Sequence, residues 1–197
     1  LPYLKGKRGL TDETIEMFEL GEDRGSITIP LLDHNGRYAG MAKRQFDQKP
    51  KYLNCPNNLL YDKSSYLYGF DKARKMRSDV MYVVEGYMDA ISGWQLGLPT
   101  VAYCNNGLTK DQIQFLDRHL RDDVIIILVP DNDEEGNKKI PRTREFFSKL
   151  APRREVRVLL VPDSCKDMND MLLAGIKPQE LETEHLDKYA LRILLDK

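Results

Sequence analysis

An α/β fold is predicted, with a mainly parallel sheet flanked by helices and a smaller mixed α+β part ahead of it. Three features of the sequence predict this. From about Asp79, apolar strand-like segments alternate with amphipathic helical ones. VIIILV (124–129) is a continuous apolar run, as a central strand covered on both faces requires. Residues 1–78 lack that alternation and show hairpin and turn signals instead. The 197 residues, 41% hydrophobic and 31% charged, suffice for a sizeable core and fit neither a disordered nor a collagen-like chain. No apolar run approaches the roughly 20 residues of a membrane helix. No signal peptide is expected, and Leu1 in place of Met leads us to expect a piece of a longer protein.

Taken in order, Thr11 caps a short helix carrying Ile15, Phe18 and Leu20. SITIPLL (26–32) and RYAGMAKRQF (37–46) are strands joined through DHNG, where Asn35 and Gly36 tolerate the positive φ of a tight hairpin. KPKYLNCPNN is expected as a loop and SSYLYGFDKARKM as a helix. VMYVVE (80–85) is a strand, YMDAISGWQLGL (87–98) a helix, and PTVAYC a short strand. Thr109 and Gln112 form a capping box for TKDQIQFLDRHL. A helix follows the acidic turn after VIIILV, with Pro141 expected as the first residue of a late-starting helix. EVRVLLV (155–161) is a strand, a helix lies near MNDMLLAG, and PQELETEHLDKYALRILLDK is a final helix. These elements divide the chain into residues 1–78, 79–176 and a C-terminal helical tail at 177–197.

Acids sit where these strands end. Glu85 closes VMYVVE, Asp131 and Asp133 follow VIIILVP, and Asp163 and Asp167 follow EVRVLLVP. Ligands of doubly wound sheets bind beyond the carboxyl ends of the strands. If the strands are neighbours, their carboxylates converge and repel, which raises their pKa values unless divalent cations hold them. Mg²⁺ or Mn²⁺ is the hard cation such oxygen ligands imply. A single Asp after a strand is more often a cap or turn former; three strand ends together argue against that. DNDEEG copies the first half of a calcium EF-hand loop, but Arg142 stands at the twelfth place and a strand precedes it. No GxGxxG follows a strand, which removes the Rossmann dinucleotide site.

Charge is unevenly spread. From Arg37 to Arg77 ten Lys or Arg face three Asp, a balance of +7, which leaves −8 for the rest of a chain whose net charge is −1. Tyr38, Phe46, Tyr52, Tyr61, Tyr66 and Tyr68 interleave with those cations, a pattern suited to nucleic acid and equally to a solvated charged face over a small core. Cys55, Cys104 and Cys165 have no CxxC spacing and lie apart from His34, His119 and His185, so zinc-finger spacing is absent; sparse thiols fit the cytoplasm.

VVEGYMDAI (83–91), DND (131–133) and PDSCKDMND (162–170) together resemble the Toprim domain, a Rossmann-like sheet shared by bacterial primases, topoisomerases and some nucleases. YLKGKRGLTDETIEMFELG, IPLLDHNGRYAGMAKR, KPKYLN and LYDKSSYLYGFDKA resemble, in the same order, the catalytic core of DnaG-type primases up to about residue 176. KDMND is similar to the phage primase-helicase variant of the last motif, and Cys104-Asn105-Asn106-Gly107 departs from the family's Ser-Leu-Gly-Thr type turn.

The resemblance implies template-directed RNA primer synthesis on single-stranded DNA from NTPs, with a replicative helicase as partner, in a bacterial cell or phage-infected host. It implies that Glu85, Asp131 and Asp133 are catalytic, and that these three with Asp89, Asp167 and Asp170 bind two or more metal ions. Arg44, Lys51, Asn54 and Lys63 fall on template- or nucleotide-binding positions. Glu85 either shares a metal or takes the hydroxyl proton. A Toprim nuclease and a non-catalytic Toprim binding module are the alternatives.

Overall fold

The computed structural model describes residues 1–46 and 48–195, which build two sheets. The first is antiparallel, in the order β1 (Gly21–Asp23), β2 (Ser26–Leu32), β3 (Tyr38–Arg44) and β4 (Tyr52–Asn54). The second takes the order β6-β5-β7-β8-β9, with β5 (Val80–Val84), β6 (Thr100–Ala102), β7 (Ile125–Leu128), β8 (Val156–Leu159) and β9 (Thr183–His185). All its pairings are parallel except β8 with β9. Thus β5, β7 and β8 are side by side and point the same way, as the convergence of their terminal acids requires.

Local chemistry explains the elements. Thr11 accepts a hydrogen bond from the Thr14 amide and caps α1 (Asp12–Met17). In the β2–β3 turn, Asp33 accepts the amides of Asn35 and Arg37, both at 2.9 Å, while Gly36 takes φ 83°. Ile27, Ile29 and Leu31 bury alternate positions of β2. The capping box at Thr109 and Gln112 is present and starts α4 (Lys110–His119). The helices α3 (Tyr87–Gln95), α5 (Glu134–Leu150) and α6 (Met168–Leu173) follow β5, β7 and β8.

The core has two parts. One joins Leu4, Ile29 and Leu31 to Tyr82, Ile91 and Met171, so apolar packing runs through both sheets. The other, with Ile113, Leu116, Ile126, Phe147 and Val158, fills the opposite face of the parallel sheet.

Four expectations need correction. SSYLYGFDKARKM is helical only from α2 (Phe70–Ala73) and a 3₁₀ turn at Arg74–Met76, because Tyr68 pairs with Ala102 through N···O bonds of 2.9 and 3.0 Å and Gly69 turns the chain at φ 80°. KPKYLNCPNN is not all loop, since Tyr52–Asn54 pair with β3 as β4. Pro141 lies inside α5, not at its start: Asp133 caps the helix by accepting the Gly136 amide, and burial of Ile140, Phe146 and Phe147 outweighs the backbone bond a proline removes. The last segment is not one helix. Its Thr183–His185 close the sheet as β9 before α7 (Leu186–Leu195), and the final two residues of that expectation lie outside the described ones.

Helix α3 lies on β6 through Gly93, where an added Cβ would meet the Thr100 Cβ at 2.8 Å. Gly93→Ala is expected to destabilise the protein by about 1–3 kcal/mol through overpacking, measured as a lower urea midpoint at unchanged m-value.

Candidate active site

Between the two sheets lies a cavity of about 460 Å³. Glu85, Asp89, Asp131 and Asp167 form one wall, and Arg44, Lys51, Asn54 and Lys63 line it as well. Asp133 and Asp170 stand just outside the lining, and Asp163 belongs to a different cavity.

Each acid is held differently. Glu85 follows the last residue of β5, and its Oε2 accepts from Lys139 Nζ at 2.6 Å and from the Tyr103 hydroxyl at 3.1 Å. Asp89 lies in the first turn of α3, close enough that a Cβ on Gly86 would touch its Oδ2 at 3.0 Å. Burial, then the charges of Asp167 and Asp131, push the Asp89 carboxyl far above the usual carboxylate range, with a hydrogen bond from the Asn169 amide opposing. Asp131 is raised to about 6, first by burial, then by Glu85, with Asp167 and Asp133 adding and Lys166 opposing. Gly136 packs so tightly on the Asp131 carbonyl that no Cβ fits there, which fixes the chain between this acid and α5.

Asp133 is lowered by the Lys166 ammonium at 2.8 Å and by the Gly136 amide it caps. Lys166 also reaches Asp131 at 3.5 Å, and its own pKa rises to about 12, chiefly through Asp133. Asp167 caps α6 by accepting the Asp170 amide at 2.9 Å, while Asp170 accepts the Lys166 amide at 2.9 Å. Together the two bonds hold both acids at the helix start.

The basic wall comes mainly from the antiparallel sheet. Arg44 ends β3, buried between the rings of Tyr3 and Tyr52, donates to the Tyr52 hydroxyl at 2.7 Å, and keeps a buried Nε with no partner. Partial desolvation, then Arg44 and Arg8, lowers the Lys51 pKa. Asn54 on β4 accepts from the Tyr87 hydroxyl at 2.6 Å, which ties this sheet to α3. The exposed Lys63 reaches the cavity from the segment after β4, its carbonyl bonded to Asn105 at 2.9 Å.

Sequence reasoning missed Arg8, Lys139 and Lys166. Arg8 enters the cavity because the fully buried Asn169 accepts from its guanidinium and donates to its carbonyl, both at 2.9 Å, and donates also to Ser92 at 2.8 Å. Lys139 carried no local signal, since its partner Glu85 lies 54 positions away. Lys166 was readable as a cation next to an acid that caps a helix.

Among the described residues, no three Asp, Glu, His or Cys side chains are gathered tightly enough to form a ready ion cage. The donor set is nevertheless all oxygen, and Asp89 and Asp131 are pushed upward by burial and then by neighbouring carboxylates, so the acids fit a hard divalent cation. No described helix is long and apolar enough to cross a membrane.

Strand-end acids of a parallel sheet thus face the cations of an antiparallel sheet across one cavity. A family model described as Toprim-like matches residues 82–172, and one described as the N-terminal domain of the DNA primase catalytic core matches residues 22–74. The DNA primase of Deinococcus radiodurans is 34% identical over 89% of this chain and 37% of its own length; that of Streptomyces coelicolor is 32% identical over 87% and 29%. This chain therefore spans about a third of the length of these curated relatives. A solved DnaG primase catalytic domain bound to single-stranded DNA superposes with TM-score 0.83 and 25% identity, covering 98% of this chain and 74% of that one. The chain belongs to the family of DnaG-type primase catalytic cores, whose Toprim members are metal-dependent.

Because the folded state binds the Asp131 and Asp89 protons more tightly than the unfolded chain does, stability falls as pH rises from about 4 through about 6 and beyond, as these groups ionise. Asp133 does not oppose this, since its lowered pKa contributes stability already complete above 3.8. In metal-free buffer, Asp131→Asn is expected to flatten the loss by about 2–3 kcal/mol, read from urea midpoints across that range.

Proposed function

We propose that this chain is the primer-synthesising core of a DNA primase, joining ribonucleotides on a single-stranded DNA template. One observation carries the reading: acids from three adjoining strand ends and cations of the facing sheet line the same cavity. A nuclease needs the acids but has no equal need for a second, basic sheet that positions a template and an incoming triphosphate. The solved relative bound to single-stranded DNA supports the choice of template.

Glu85, Asp89, Asp131 and Asp167 would hold two or more Mg²⁺ or Mn²⁺ ions, and Asp133 would join them when its Oδ2 leaves Lys166. Asp170 would act from behind, through its bond to the Lys166 amide. Such ions, when bound, activate a 3′-hydroxyl and neutralise charge on the leaving pyrophosphate. Lys139 and Tyr103 orient Glu85 through one oxygen and leave the other without a protein partner among the described hydrogen bonds. Arg44, with its unpartnered Nε, and Lys51, whose pKa is lowered by burial and by the neighbouring Arg44 and Arg8, are set to receive phosphate oxygens. Lys63 and Asn54 flank them.

In this reading residues 1–78 supply the template and nucleotide wall, residues 79–176 the acid wall, and the tail that follows closes the sheet edge through Thr183–His185. A replicative helicase is the proposed partner and the cytoplasm the proposed location.

The test incubates the protein with NTPs, Mn²⁺ and a single-stranded template and resolves the products on a gel. Template-dependent oligoribonucleotides are expected, with Glu85→Gln and Asp131→Asn each lowering the rate by about 100-fold or more at unchanged circular dichroism. Near-parental synthesis by both variants would remove the acid site, and shortening of the template in place of new RNA would make the domain a nuclease.

A further inference from the structure

Next to the catalytic cavity, a second cavity of about 460 Å³ opens between the start of α4 and the face of α5. Its cations come from both helices: Lys110 from α4, and Lys138, Lys139 and Arg142 from α5. Lys138 is neutralised by Glu134 and Glu135 at 2.9 and 3.1 Å, and Lys139 by Glu85 at 2.6 Å. Lys110 and Arg142 differ: both are exposed, and among the described residues neither has a carboxylate within ion-pair distance. Instead the two cations share one ring. Lys110 Nζ lies 5.4 Å and the Arg142 guanidinium carbon 5.1 Å from the centre of the buried Phe146.

The two cavities share a wall. Asn105 lines both, and its side chain is fixed by the Lys63 carbonyl at 2.9 Å. A chain that leaves the acids over Asn105 therefore meets Lys110 and Arg142 next. The sole aromatic side chain of the groove has cations against it, so no ring is left for a base to stack on. A site with two unpaired cations and no stacking face recognises phosphates and not bases.

We propose that the groove between α4 and α5 binds the phosphodiester backbone of a nucleic-acid strand running out of the catalytic cavity. The proposal rests on the nucleic-acid reading of the cavity but not on its catalysis. It assigns Lys110 and Arg142 a part in holding the strand and none in chemistry.

Binding is measured without NTPs or divalent ions, by fluorescence anisotropy of labelled oligothymidylates of about 20 and about four nucleotides over a range of salt concentrations. Each phosphate contact adds roughly 0.7 to the slope of log affinity against log salt for single strands, so Lys110→Gln/Arg142→Gln is expected to flatten the long oligomer's slope by about 1.4. Each single variant should give half of that, and the short oligomer, which the catalytic cavity alone accommodates, should be unaffected. A parental slope in the double variant overturns the proposal. So does an equal loss with the short oligomer, which would place both cations at the catalytic cavity, or weakened ATP binding at an unchanged slope, which would make the groove a nucleotide pocket. Should the parent chain make no primers while the slope still flattens, the activity reading falls and the groove stands.

Discussion

Repulsion among carboxylates is the constraint on which the rest of this structure depends. Glu85, Asp89, Asp131 and Asp167 share one cavity, and Asp89 and Asp131 are pushed upward first by burial and then by the neighbouring acids. The site's own contacts offset only part of this charge. The acids stay because β5, β7 and β8 are locked in parallel register by an apolar core on both faces, so the strand ends cannot separate without breaking the sheet. Lys139 and Lys166 relieve part of the field, each drawn from the helix or loop that follows a strand.

The positioning of the acids is built from polar contacts that also terminate helices. Asp133 starts α5, and Asp167 with Asp170 starts α6, so these residues are oriented by backbone amides before any ligand arrives. Asn169 extends the arrangement inward: fully buried, it bonds Arg8 and Ser92 through its side chain. A single buried amide thus links the N-terminal segment, α3 and α6 beneath the cavity. Satisfied buried networks of this kind specify one arrangement, because any shift leaves a polar group unpaired.

Much of the parallel half was legible in sequence because its signals are local. The run VIIILV, the capping box at Thr109 and Gln112, and the acids after three strands all announce themselves within a few residues. What escaped depended on distant partners. Tyr52–Asn54 becomes a strand only because β3 offers its edge, and Thr183–His185 only because β8 does. Pro141 misled because its breaker character is local, whereas the packing that overrides it is not. The same division holds at the site: the sequence marks the carboxylates, but Lys139 reaches Glu85 across 54 positions and Arg8 reaches Asn169 across 161.

The two halves of the cavity are incomplete in opposite senses. On one wall the acids repel one another, and burial raises the pKa values of Asp89 and Asp131; on the other, desolvation and the neighbouring Arg44 and Arg8 lower that of Lys51. Simple ion pairing across the gap would have cancelled both, yet no described salt bridge joins the basic sheet's Arg44 or Lys51 to these acids. The walls stand on two sheets that share one apolar core and are tied also at Tyr87 and Asn54. A ligand relieves both only if it carries phosphate toward Lys51 and Arg44 and divalent charge toward Asp89 and Asp131. Under the proposed function a metal-bound triphosphate would meet that double demand, whereas a free cation or a free anion would satisfy one wall alone.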